Sequence, residues 1–248
     1  MDRLAYIAMT GAKQTEVAQA ITANNLANVS TTGFRADLHA FSQRDVEGTG
    51  LPTRTNAVVD AYGIDLREGA IQTTGHNLDV AISGEGYFAV QTPNGGEAYT
   101  RAGNFRVGSG GLLTTADGMP VIGEGGPVAV PPNETLLIGN DGTITVRSLG
   151  QGPEALSIVD RLKLVKPDPE SLVKGPDGLL RTADGAIAPA DATVSVQSGA
   201  LESSNVNVAD ALVSMISLAR QYESQVNIIR NAEDNADAAA AMLRSSGG

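Results

Sequence analysis

His39 and His76 are the side chains in this 248-residue chain best suited to metal or proton chemistry, and both stand alone. Neither has acids or a second histidine at the spacing of a zinc site, so a surface or turn role is expected for each. Five dipeptides, Asn94-Gly95, Asp117-Gly118, Asp141-Gly142, Asp177-Gly178 and Asp184-Gly185, set an amide or carboxylate beside glycine. They lack the alternating oxygen ligands of a calcium loop and read instead as hairpin turns that tolerate positive φ. Gly108-Ser109-Gly110-Gly111 resembles a phosphate cradle, but no Lys-Ser/Thr follows and no helix starts there. Ser83, in Ile82-Ser83-Gly84, is not set in a nucleophile elbow. With no cysteine there is no thiolate ligand, no disulfide and no thiol nucleophile. The expectation is a chain that is not an enzyme, with no catalytic residue, metal site, cofactor or small-molecule substrate.

The chemistry left is hydrogen bonding by amides and burial of apolar stripes. From Val208 the positions Val208, Leu212, Met215, Ala219, Tyr222, Val226 and Ile229 form a seven-residue repeat with an apolar residue at each seam position. The phase continues through Glu233, Ala236, Ala240 and Leu243, and no Pro or Gly falls between Asn205 and Ser246. A helix over 208–243 would be roughly 54 Å long, longer than one small domain usually covers, so its stripe calls for a partner helix. The partner is at the other end of the chain. Leu4, Ile7, Gly11, Gln14, Ala18, Ile21, Asn25 and Asn28 keep the same alternation of three and four, with small residues that allow close approach. This first helix runs into Asn24, Asn25 and Asn28, amides that are poor in a helix interior and useful for capping its end or knitting subunits together. Thr32-Gly33 then signals a chain reversal.

Between the ends the character changes. Residues 36–75 have little periodicity, are broken by Gly48, Gly50 and Pro52, and read as a connecting arm, with 64–75 as a strand candidate. From Leu78 to about Gln197 the signals are β: short runs at 78–82, 86–91, 99–107, 143–147 and 162–165, the five turns above, and a run at 128–130 stopped by Pro131-Pro132. The fold class expected is α+β, with N- and C-terminal helices pairing in a coiled-coil-like domain around a central, mostly antiparallel β domain. The boundaries are 1–30, an arm over 31–75, the β domain over 76–198, and 199–248.

The net charge of −11 sits almost wholly in the middle. Residues 1–35 carry three basic against two acidic residues and 205–248 three against five, leaving −10 on the rest. Acidity so placed argues against nucleic acid or an anionic membrane as partner. No run of apolar residues is long enough for membrane insertion, and the N-terminus lacks the pattern of a cleaved secretory signal.

Ala23-Asn24-Asn25-Leu26-Ala27-Asn28, followed by Thr31-Thr32-Gly33-Phe34-Arg35, resembles the signature of the rod and hook family of bacterial flagellar axial proteins. The central blocks Leu78–Ile82, Gly84-Glu85-Gly86-Tyr87-Phe88 and Tyr99-Thr100-Arg101-Ala102-Gly103-Asn104-Phe105 are similar to that family in the same order. Leu201-Glu202 followed by Ser204-Asn205-Val206, with Ser204 or Asn205 as a natural helix cap, resembles its entry to the C-terminal helix. Residues 145–190 match only in general character. The modest length and the opening Met1-Asp2-Arg3-Leu4, Tyr6, Met9 and Gly11-Ala12 resemble a proximal rod subunit, with the distal rod subunit the near alternative and the longer hook proteins a poorer fit. A rival from another class is a secreted adhesin or carbohydrate-binding β domain with a helical oligomerisation tail. The resemblance implies a basal-body rod subunit that assembles with copies of itself and other rod proteins into a torque-transmitting tube. It also implies passage through the flagellar type III export apparatus without a cleaved signal. The assembly interface expected is Leu4, Ile7, Gly11, Ala18, Ile21, Asn24, Asn25, Leu26, Asn28, Gly33 and Phe34 with Val208, Leu212, Met215, Ala219, Tyr222, Val226 and Ile229.

Overall fold

One helix at each end, α1 (Asp2–Ala27) and α2 (Val208–Ser245), accounts for the two seams in a computed structural model that describes residues 2–45, 55–148, 150 and 156–245. α2 starts one turn later than Ser204 or Asn205 would set it. The cap is Asn207, whose Oδ1 accepts from the N–H groups of Ala209 (3.0 Å) and Asp210 (3.4 Å). Asn205 is engaged elsewhere. The two helices pack on each other and, with residues 37–63, make up the first of two compact units.

Within that unit the segment expected as an arm is a long two-stranded hairpin, Asp37–Asp45 with Thr55–Ile64. Gly48, Gly50 and Pro52 lie outside the described residues. The hairpin is fastened to α1 by amides: Asn25 Nδ2 donates to Asp37 O (2.9 Å) and its Oδ1 accepts from Asp37 N–H (2.8 Å). Gln14 Oε1 accepts from Val59 N–H (2.9 Å). His39 lies on this hairpin, edge-on to the Phe41 ring.

The second unit holds residues 28–36 and 64–206. The turn expected at Thr32-Gly33, and the outer parts of the arm, therefore belong to the β unit. Its larger sheet is antiparallel, in the order Leu164–Val165, Tyr87–Gln91, Glu97–Thr100, Leu180–Thr182, Leu172–Lys174. A three-stranded sheet is formed by Asn133–Ile138, Thr143–Ser148 and Leu156–Arg161. Val80–Ser83 pairs with Ser195–Ser198, and Ile71–Thr73 with Ala200–Glu202, so the last strands close on the first. The run at 128–130 is held by an isolated bridge at Ala129 rather than as a strand.

The core is the alternate face of these strands: Val80, Ile82, Phe88, Leu113, Ile144, Val146 and Leu162 are all but inaccessible, with Phe88 and Phe105 edge to face at 5.1 Å. A second cluster packs Tyr87, Ala89, Val165, Leu172 and Leu180 around Tyr99, whose hydroxyl accepts from Ala188 N–H (2.7 Å). The five Asx-Gly turns share one conformation in the glycine and differ from the two-residue type. In Asp141-Gly142 only the glycine has positive φ (+83°), Gly142 N–H donates to Gly139 O, and Gly139 N–H to Thr143 O. That is a type I turn closed by a left-handed glycine and a bulge.

Candidate assembly surface

α1 turns a stripe of small side chains toward its partner. Ala8, Ala12, Thr15, Ala18 and Thr22 are buried, and Thr15 and Thr22 return their hydroxyls to the carbonyls of Gly11 and Ala18. A Cβ on Gly11 would come within 3.0 Å of Gln225 Nε2, so the bare backbone leaves room for that amide. Thr15 Oγ1 also stands 3.3 Å from Gln225 Oε1, which puts a polar layer inside the helix pair. On α2 the covered stripe is Ala211, Leu218 and Ala232, with Met215, Gln225 and Ile229 half-buried.

The expected interface residues divide by this geometry. Ala18 is inaccessible, while Ile7, Gly11, Ile21, Asn25 and Leu26 are half-buried and Asn24 is exposed. The side chains of Leu4 and Leu243 lie outside the described residues. Met215, Ala219, Val226 and Ile229 are half-buried along the edge of the covered stripe. Val208, Leu212 and Tyr222, on the flank, are 45%, 44% and 39% exposed, joined there by Val213 (68%) and Ile216 (56%). α1 exposes Tyr6, Met9 and Val17 on the face away from its small residues. Apart from Leu218, the fully buried side chains of the pair are thus small, while many large apolar ones are half-buried or exposed, the reverse of a self-sufficient helix pair.

Asn28, Gly33 and Phe34 belong to the β unit. Asn28 Oδ1 accepts from Thr31 Oγ1 (3.1 Å) and opens the turn. Gly33 has φ +66°, its N–H donates to Glu202 O (2.8 Å), and a Cβ there would lie 2.4 Å from the carbonyl carbon of Arg101. Phe34 carries the Lys174 ammonium 4.0 Å above its ring, while Lys174 Nζ donates to Arg35 O (2.9 Å).

The turn delivers Arg35 into a buried charge cluster that the sequence did not reveal. Arg35 Nη1 is 2.7 Å from Glu202 Oε1, and Arg101 Nε is 3.2 Å from Oε2. All three side chains are at most 3% exposed. Neither contact is aligned as a hydrogen bond; the aligned one to Glu202 comes from Gly69 N–H to Oε1 (2.8 Å). Burial pushes the Arg101 pKa down and Glu202 opposes the shift, while burial pushes the Tyr87 hydroxyl beside Arg101 up. Nearby, the Arg67 guanidinium holds the Asp65 carboxyl below the usual range. The available signal was the alternation of Ala200-Leu201-Glu202, which sets Glu202 on the same side as the buried Ala200. Among the described residues no group of three or more His, Asp or Glu side chains could hold a metal ion, and no helix is long and apolar enough to cross a membrane.

Two terminal helices with many larger apolar side chains outside, and an antiparallel β unit between them in sequence, define an α+β class of protein. Three family models match, in chain order: the flagella basal body rod protein family over residues 6–35, the flagellar hook protein FlgE/F/G D1 domain over 81–146, and the flagellar basal body rod FlgEFG protein C-terminal region over 197–242. The chain is 44% identical to the flagellar basal-body rod protein FlgF of Escherichia coli K12, across 98% of this chain and 99% of the relative. It is 42% identical to FlgF of Salmonella typhimurium, with the same coverage. Identity to the rod protein FlgG of Bacillus subtilis is 31%, over 94% and 96%. The chain belongs to the flagellar basal-body rod protein family, in its F type, and is a structural rod subunit. The distal-rod, hook and adhesin alternatives are not favoured.

Proposed function

We propose that this chain acts without catalysis, as a building block that joins copies of itself and related rod proteins through α1 and α2. The tube so formed carries torque across the periplasm. On this reading the interface between subunits is heterologous and open-ended. Nucleic acid, membrane lipid and small-molecule substrates have no part in it. Delivery is by the flagellar type III export apparatus. The observation that carries the proposal is the placement of side chains on the helix pair, small inside and Val208, Leu212, Val213, Ile216, Tyr6 and Met9 outside. Apolar side chains of that size left open along both helices are what neighbouring subunits would cover.

Leu212→Asp tests it. The side chain is nearly half exposed, so the charge is solvated in the single chain and costs about 0.5 kcal/mol or less. Buried at a subunit contact it would cost several kcal/mol. The expected result is a purified chain that melts as the wild type does and a cell that does not swim. Normal swimming would overturn the proposed seam.

A further inference from the structure

The side chain of Asn205 satisfies three backbone groups at once. Its Oδ1 accepts from Ala36 N–H (2.9 Å), and its Nδ2 donates to Asp65 O (2.8 Å) and Arg67 O (2.9 Å). Its own N–H donates to Phe34 O (3.3 Å), and Asp65 N–H donates to Ala36 O (2.8 Å). These residues stand where the chain leaves the β unit: Ala36 ends its first segment, Ile64 begins its second and Val206 ends it. One amide therefore ties three of the unit's four chain exits, while Glu202 and its arginines hold the same segments by ion pairs. Asn205 also takes no part in capping α2, which Asn207 does.

We propose that Asn205 is a positioning residue for rod assembly: it fixes the separation of three chain exits of the β unit, and so the place from which α2 departs toward its neighbours in the rod. This rests on the rod-subunit reading above. Only an amide suits the site. A carboxylate could still accept from Ala36 but would set a charged oxygen against the carbonyls of Asp65 and Arg67, and a shorter side chain would reach none of the three. Asn205, Ala36, Asp65 and Arg67 are not in the apolar clusters of the β unit, and of this segment only Ile64 and Leu66 pack on the edge of one, so loosening the exits leaves the buried centre of the core packed.

The test uses full-length Asn205→Asp and Asn205→Ala in two measurements. Amide hydrogen exchange is expected to speed up by about tenfold or more at Ala36 and Asp65 in Asn205→Ala and at Asp65 in Asn205→Asp, while the cooperative melt survives. Cells carrying either variant as their only copy are expected to build functional rods at about a tenth of the wild-type frequency or less, scored as swimming cells. If exchange quickens but swimming is normal, the tie has no role in assembly and the proposal falls. It falls equally if exchange at both amides is unchanged, or if Asn205→Ala abolishes the melt, which would make Asn205 a stability residue only. If Asn205→Asp alone fails to fold, Asn205→Ala decides by the same two readings. Leu212→Asp separates this from the parent reading: its normal swimming would remove the seam while leaving the exchange result intact.

Discussion

Replacing Glu202 by Gln should be among the most damaging isosteric changes in the β unit. The glutamine keeps the shape and can still accept from Gly69 N–H through Oε1, but its NH2 group then faces the Arg101 Nε–H, donor against donor. Two guanidinium groups, each 3% exposed, lose their shared counter-charge, and the nearest other carboxylate to Arg101 is Glu68, 48% exposed and 3.8 Å away. Breaking a buried ion pair from one side costs about 3–5 kcal/mol, mostly the penalty of the charge left behind. For a unit of this size that lowers the melting temperature by roughly 6–20 °C. The assay is thermal unfolding of the full chain followed by far-UV circular dichroism, with Arg35→Met/Arg101→Met/Glu202→Leu as companion. Removing all three charges together should recover most of the loss, because well-packed apolar groups replace a buried ionic cluster at little cost. A Glu202→Gln chain melting within about 2 °C of the wild type would refute the reasoning, since it would mean that the carboxylate is not neutralising the arginines.

Gly33→Ala should cost about 2–4 kcal/mol, from positive φ together with a Cβ driven against the Arg101 backbone. Gly75→Ala, with similar φ but open space around it, should cost only the conformational part; equal losses in urea titrations of the two variants would refute the steric argument. The β unit should also lose stability in acid. Arg67 lowers the pKa of Asp65, Thr143 that of Asp141, Arg181 that of Asp177, the Ala186 N–H that of Asp184, and Thr193 that of Asp191. A folded pKa below the unfolded value of about 3.9 means that the unfolded chain binds more protons, so stability is full above that value and falls as pH drops through the folded pKa. The urea midpoint should hold steady from about pH 7 to 5 and fall by pH 3; a midpoint that rises toward pH 3 would count against these partners.

Periodicity carried the helices, because a 3.5-residue repeat sustained over several turns, without Gly or Pro in α2 and with only Gly11 in α1, has few other solutions. Their exact contact face was harder to read. The repeat from Val208 to Ile229 marks mostly large apolar residues, whereas the side chains α2 buries are Ala211, Leu218 and Ala232, none of them in that repeat and two of them small, as are the buried Ala8 and Ala12 of α1. A pattern read for hydrophobicity overlooks alanine stripes for that reason. The hairpin at 37–64 was hidden because its fastening is made by amides, Asn25 on Asp37 and Gln14 on Val59, and such bonds leave no periodic trace. The Asn-rich signature shows the same limit: its amides were legible as hydrogen-bonding groups, but not that Asn25 serves the helical unit while Asn28 opens a turn of the β unit.

The division of that signature between two units bears on how a subunit is built. Thr31–Arg35 is fixed by residues more than a hundred positions away, Lys174 and Glu202, so the β unit is not complete until its last strand is in place. The helix pair, in contrast, buries mainly alanine and threonine, side chains with little apolar area, around a polar contact between Thr15 and Gln225. Full burial of a Val, Leu or Ile side chain is worth about 1.5–3 kcal/mol, and Val208, Leu212, Val213 and Ile216 withhold much of theirs from the single chain. The stability of the β unit is thus internal, while under the proposed assembly much of the helices' apolar stabilisation would come from neighbours. A subunit so assembled would fold its β unit alone and gain the burial of these side chains in the polymer.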